Sequence, residues 1–223
     1  MKIFVLSLKN DIGQDRRSKL NYKHDVVWGT DKIEEVSDYI KNNMKIMSST
    51  KDKQKLLKQK SCHFYSYCRI LEKIVEENIY DVIICEDDAI LKNENLLNNL
   101  IEKKFNSPVI LNAKLHHPKN YALDKKLDLS KLNFKEGINE INYDEYRWSC
   151  SACIYYPNPQ SCKEILDFIK NTKKKYTYLD LFLSSNKKIK YLYYPSIFYI
   201  KDDGISQITD SKGNINDYGI NQM

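Results

Sequence analysis

The sequence predicts an α/β protein, a mixed, mainly parallel sheet flanked by helices. Three observations carry that expectation. The run Val82-Ile83-Ile84-Cys85 is short, apolar and rich in β-branched residues, the pattern of a strand buried on both faces. Residues 61–78 precede it with a regular stripe of Phe64, Tyr67, Leu71, Ile74 and Val75 at helical spacing. Three carboxylates, Glu86, Asp87 and Asp88, follow the strand at once, at the carboxyl end where open α/β sheets place ligands. Helix, short connection, buried strand and acids make half of a parallel βαβ unit.

A chain of 223 residues holds one domain of this class, expected over residues 1–200, with a polar tail or loop over 201–223 that carries Gly204, Gly213 and Gly219. With 42% hydrophobic and 30% charged residues the composition is globular rather than disordered. The net charge of +6 favours diphosphates or polyanions mildly, but the lysines are spread along the chain, so nucleic acid is not an expected partner. No stretch approaches the roughly 18 apolar residues of a membrane span, which leaves peripheral membrane contact at most. The amino terminus reads as a first strand and not as a signal peptide. The six cysteines lack the rhythm of a disulfide scaffold, so a reduced, cytoplasmic protein is expected.

The elements follow in order. Residues 2–8 form the first strand, and residues 9–17 a polar loop ending in Arg16-Arg17. Val26-Val27-Trp28 is a second short strand closed by Gly29. Residues 31–47 read as a helix with Ile33, Val36, Ile40, Met44 and Met47 inward. The Lys-rich residues 48–60 read as a loop or mobile segment ahead of the helix at 61–78. After the acids, residues 91–105 read as helical and 108–112 as a strand. Residues 113–146 are polar and irregular and carry His116-His117, whose adjacency suits structural or substrate-lining roles better than shared ligation. Asn158-Pro159 starts a helix, with Asn as N-cap and Pro at the first position. Residues 191–200 are aromatic and strand-like around Pro195.

The acids carry the chemistry. Carboxylates crowded at the end of a buried strand repel one another and resist desolvation. A hard cation, Mg²⁺ or Mn²⁺, would resolve that conflict and leave positions open for phosphate. The alternative is a solvated acidic turn that complements the dipole of the next helix. Strand alternation would put Glu86 and Asp88 on one face and Asp87 on the other. Arg16 and Arg17 suit a phosphate or a surface ion pair. Asp180, within the apolar patch Tyr178-Leu179-Asp180-Leu181-Phe182-Leu183, is either functional or paired in the core. Trp148, Tyr155 and Tyr156 could stack on a sugar or pack inside. Cys150 and Cys153 with Cys62, His63 and Cys68 could make a zinc site, though one CxxC alone is a weak signal.

Taken together, the chain resembles glycosyltransferase family 25, the lipooligosaccharide and collagen galactosyltransferase group. The opening I-F-V-L-S-L-K-N through Asp15-Arg16-Arg17 is similar to that family's first signature. Ser61-Cys62-His63-Phe64-Tyr65-Ser66-Tyr67 resembles its Gly-Cys-x-x-Ser-His segment, and Glu86-Asp87-Asp88-Ala89 matches its metal motif. Ser151-Ala152-Cys153-Ile154-Tyr155-Tyr156, a helix, Asp180 and Tyr194-Pro195 resemble the later part. In this chain the family histidine falls on Tyr67 and the glycine on Ser61.

The resemblance implies a GT-A fold and a UDP-sugar donor, with galactose or glucose as the hexose and inversion at the anomeric carbon. The acceptor would be a glycan or a glycosylated or hydroxylated protein. It implies Mn²⁺ or Mg²⁺ held by Glu86 and Asp88. Leu6, Ser7, Leu8, Arg16, Arg17 and Asp87 would line the donor, and Asp180 would be the catalytic base. Tyr67 in place of histidine keeps an inactive binding or assembly module as the alternative. A metal-dependent nuclease would need a further carboxylate trio and a basic groove, and neither is visible.

Overall fold

The computed structural model describes residues 1–45, 53–116, 132–149, 153–176 and 178–200. Met47, His117, Cys150, Ser151, Ala152 and the tail at 201–223 lie outside them. The strands are β1 (Lys2–Ser7), β2 (Asp25–Trp28), β3 (Val82–Glu86), β4 (Ala89–Leu91), β5 (Val109–Ile110), β6 (Lys114–His116), β7 (Gly137–Glu140), β8 (Arg147–Ser149), β9 (Cys153–Tyr156), β10 (Tyr191–Tyr194) and β11 (Phe198–Ile200). The α-helices are α1 (Asp11–Ser18), α2 (Asp38–Asn43), α3 (Lys53–Glu76), α4 (Glu94–Glu102), α5 (Pro159–Asn171) and α6 (Leu179–Ser185).

A seven-stranded sheet, ordered β2-β1-β3-β9-β5-β10-β7, forms the centre. β2, β1, β3, β5 and β10 run one way, and β9 and β7 run against them. The expected mixed, mainly parallel sheet is therefore present. β4 leaves it to pair with β11, and β6 pairs with β8.

The alternation of β1 sorts the core. Phe4 and Leu6 face a large apolar layer with Phe64, Leu71 and Ile74 of α3 and Ile165 and Ile169 of α5. Ile3 and Val5 face a second layer with Leu96, Leu97 and Leu100 of α4. At about 25 cal/mol per Å² of apolar surface removed from water, these two layers dominate the stabilisation. α3 ends as its sequence directs. Asn78 takes a left-handed φ of 51°, and the Ile79 amide donates to the Ile74 carbonyl at 3.0 Å. The Asn158 cap is as expected, its side chain accepting from the Ser161 amide.

Several expected boundaries are corrected. Residues 9–17 are not all loop, because Asn10 caps α1 by accepting from the Gly13 amide at 2.7 Å. The residues α1 buries are Gly13 and Arg16, so no apolar stripe announces it. The helix expected over 31–47 is broken. A short 3-10 turn at Ile33–Glu35 precedes α2, and Val36 and Ser37 between them are extended. The inward positions survive, since Val36, Ile40 and Met44 are all buried. Of the Lys-rich stretch at 48–60, residues from Lys53 onward are the first turns of α3, anchored by buried Leu56 and Lys60. Residues 89–91 are strand, and α4 begins only after the Asn93 cap. Residues 113–146 contain β6 and β7.

Candidate active site

β1 and β3 are parallel neighbours with Leu6 opposite Glu86, so their carboxyl ends emerge together. The strand stops at Glu86, and Asp87 and Asp88 form a turn before β4. Strand alternation therefore lapses at the acids, which corrects the expectation that Asp87 points away from Asp88. One guanidinium meets both: Arg16 Nη1 lies 3.3 Å from Asp87 Oδ1 and 3.2 Å from Asp88 Oδ2.

Arg16 reaches them because α1 sits tight against the end of β1. A Cβ on Gly13 would collide with the Leu8 carbonyl oxygen and lie 2.8 Å from Ser7 Oγ. Ser7 Oγ donates to Asp87 Oδ2 at 2.5 Å. Arg17 Nη1 donates to Ser7 Oγ at 2.5 Å and to the Leu8 carbonyl at 3.0 Å. Ser7, Leu8, Arg16, Arg17, Asp87 and Asp88 thus form one connected network. Leu6 is elsewhere, with its side chain in the core layer beneath α3.

Burial strains the charge of this turn. It pushes the Asp88 carboxyl up to about 8, with Glu86 and Asp87 adding to the rise and Arg16 opposing it. Burial also raises Asp87, against the pull of Ser7 and Arg16. Asp88 Oδ1 is buried without a hydrogen-bond partner among the described residues. Such an orphan oxygen is costly unless something meets it.

From the other side α3 supplies His63, whose Nε2 lies 3.2 Å from Glu86 Oε1. Burial lowers the His63 pKa, but Glu86, Asp180 and Asp87 outweigh it and the net direction is up. One turn earlier Lys60 is buried, with Nζ 3.5 Å from the centroid of the Tyr178 ring. Burial lowers the Lys60 pKa, and Asp180 opposes it. Asp180, in the first turn of α6, is half-buried, and its charge reaches both Lys60 and His63. Tertiary folding has therefore brought the charge of Asp180 to bear on Lys60 and on His63, which meets Glu86.

The chain matches the family described as Glycosyltransferase family 25 (LPS biosynthesis protein) over residues 1–187. It belongs to glycosyltransferase family 25. The chain is accordingly read as a glycosyltransferase, which acts on a sugar donor and a glycan acceptor. None of the curated proteins matches it. Among the described residues, no helix is long and apolar enough to cross a membrane.

Family membership sharpens the meaning of His63. By count the family histidine falls on Tyr67, but Tyr67 is in the core, its hydroxyl 3.0 Å from that of Tyr156. His63, one helical turn earlier on α3, is the imidazole that reaches the acids. Sequence reading offered His63 only as a zinc ligand and missed Lys60, because both were read without the partners that α6 and β3 bring.

The aromatics considered for sugar stacking are interior. Trp148 Nε1 donates to the Tyr143 hydroxyl, Tyr155 donates to Asp81, and both are fully buried with Tyr156. The zinc set does not assemble either. Cys153 Sγ meets Cys85 Sγ at 3.0 Å on one face of the sheet, while Cys62 and Cys68 lie in the layer on the other. Among the described residues, no three His, Cys, Asp or Glu side chains converge on a metal position. Glu86 and Asp88 nonetheless suit a hard cation that takes its other ligands from phosphate and water. They offer carboxylate oxygens, and Asp88 Oδ1 is buried and unmatched among the described residues.

Proposed function

We propose that the protein is a metal-dependent, inverting hexosyltransferase. It moves galactose or glucose from a UDP-sugar to a hydroxyl of a glycan or protein acceptor. One observation carries the reading: Asp88, just past the carboxyl end of β3, keeps a buried carboxylate oxygen without a partner among the described residues. A site that crowds three carboxylates around one arginine, with a second arginine beside it, is suited to a cation and a diphosphate together.

Glu86 and Asp88 would hold the ion, which would supply stabilisation of the charge that grows on the diphosphate as the glycosidic bond breaks. Arg17 and Ser7 line the donor side, and Arg16 orients Asp87 and Asp88. In the transfer, the acceptor oxygen forms the new bond to the anomeric carbon and the bond to the diphosphate oxygen breaks. The acceptor proton passes to Asp180, the general base. The influence of its charge on Lys60 and on His63, the histidine that meets Glu86, supports that role.

The test is thermal stability against nucleotide sugars and free nucleotides, each with and without Mn²⁺. A ligand that binds only the folded state raises Tm by mass action. A metal-dependent rise with uridine nucleotides, lost in a folded Asp88→Ala variant, is the expected result. No rise with any nucleotide sugar would favour the second reading, an inactive binding module. The contact of Arg16 with both aspartates favours that alternative, since it would serve a purely structural turn as well.

A further inference from the structure

Trp28 closes β2 at the same edge of the sheet as Ser7 and Glu86, and the proposed reaction leaves it unused. It is 40% exposed, whereas Trp148 is fully buried. Trp28 stands opposite Ser7 in the β1–β2 register, so the two share a face. The Arg17 guanidinium carbon lies 4.6 Å from the centroid of its ring, and Lys9 Nζ lies 5.3 Å from it. Arg17 is held in place by Ser7 Oγ and the Leu8 carbonyl, and Ser7 Oγ in turn donates to Asp87. A continuous path of contacts therefore runs from the indole through Arg17 and Ser7 to the acidic turn.

A part-exposed indole that carries two cations over its ring suits a ligand that joins a flat ring to an anion. A neutral sugar would use the ring and leave the cations idle, and an inorganic phosphate would do the reverse. A nucleotide uses both: its base stacks on the indole, and its phosphate meets charge-assisted donors. The direction also agrees. Base at Trp28, first phosphate at Arg17 and Lys9, and second phosphate towards Asp88 follow the order of groups in a nucleoside diphosphate.

We propose that Trp28, with Arg17 and Lys9, is the platform for the base and first phosphate of the donor nucleotide. The inference rests on the reading of the site as a nucleotide-sugar site, and names the residue that holds the base.

The two tryptophans make it directly observable, because only Trp28 is accessible. Uridine, UMP, UDP, UDP-galactose and free galactose are titrated with Mn²⁺ while tryptophan fluorescence and heat of binding are recorded for wild type, Trp28→Leu, Trp28→Phe and Lys9→Met. Circular dichroism confirms that each variant is folded. UDP should quench the wild-type emission saturably, and Trp28→Leu should abolish the quenching and weaken UDP by about tenfold to a hundredfold. Trp28→Phe, which keeps a ring, should retain most of the affinity. Lys9→Met should narrow the preference for UMP over uridine. UDP binding at unchanged affinity in Trp28→Leu would overturn the platform while the donor reading stands. Failure of every nucleotide to bind the wild type would overturn both. Quenching by free galactose but not by UDP would place the acceptor on Trp28 and also overturn the proposal.

Discussion

Arg16 is the counter-cation of the acidic turn, and its removal has a calculable consequence. Its side chain is 9% exposed, and those of Asp87 and Asp88 are 6% and 15% exposed. At the observed 3.2 and 3.3 Å and an effective dielectric of about 20, each contact gives about 5 kcal/mol of attraction. Most of that offsets the cost of taking the charges out of water, so the net value of the pair is small. Removing one partner is different, because it leaves the acids buried and uncompensated, at a cost of about 3–5 kcal/mol. Arg16→Met keeps the aliphatic length and deletes the charge. The acids then hold protons more tightly in the folded state than in the unfolded chain, so the variant loses stability relative to wild type as pH rises. With Asp88 already near 8 in the intact protein, its part of the loss should grow only as pH rises above that value and be complete only above the higher value of the variant, so the loss should be larger at pH 9 than at pH 5.5. Urea denaturation at both values, in the presence of a chelator, measures it. Replacing the chelator with Mn²⁺ should stabilise Arg16→Met more than wild type, since the ion takes the place of the lost cation. An equal loss at pH 5.5 and 9, or a loss below about 1 kcal/mol at pH 9, would refute the reasoning and mean that the acids are solvated.

Three further outcomes are expected. Gly13→Ala should lower stability by about 1–3 kcal/mol despite the better helix propensity of alanine, because the new Cβ meets the Leu8 carbonyl; a Tm at or above wild type in calorimetry would contradict the close approach of α1 to β1. His63→Gln should cost about 1–3 kcal/mol at pH 5.5, where the imidazole is charged against Glu86, and progressively less as pH rises through the elevated folded pKa; a pH series of denaturation curves shows whether the difference fades. Asp180→Asn should lower kcat by about a hundredfold to ten-thousandfold with donor affinity nearly intact, and a normal kcat in a sugar-transfer assay would remove Asp180 as the base.

The acidic turn was legible because its signal is local. A β-branched run that stops abruptly at three acids needs no partner to be recognised, and the helix before it shows an apolar stripe. α1 was not legible, since its inward residues are a glycine and an arginine and no hydrophobic period marks it. The start of α3 was hidden for a related reason. Lys60 occupies an inward position of the stripe and reads as surface, yet it is buried against Tyr178.

By itself the sequence determined the α/β class, the central strand with its carboxylates, the Asn158-Pro159 helix start and the family. The elements follow from short-range rules of burial and capping that act within a few residues, and the family from the resemblance of its motifs. Only the tertiary structure decided that Arg16 meets acids 71 and 72 residues away, that His63 and not Tyr67 faces Glu86, and that Asp180 approaches from α6. Charged side chains have no periodicity that names their partners. Which of them is buried, and against what, is set by the way β1, β3, α3 and α6 are brought to one edge of the sheet.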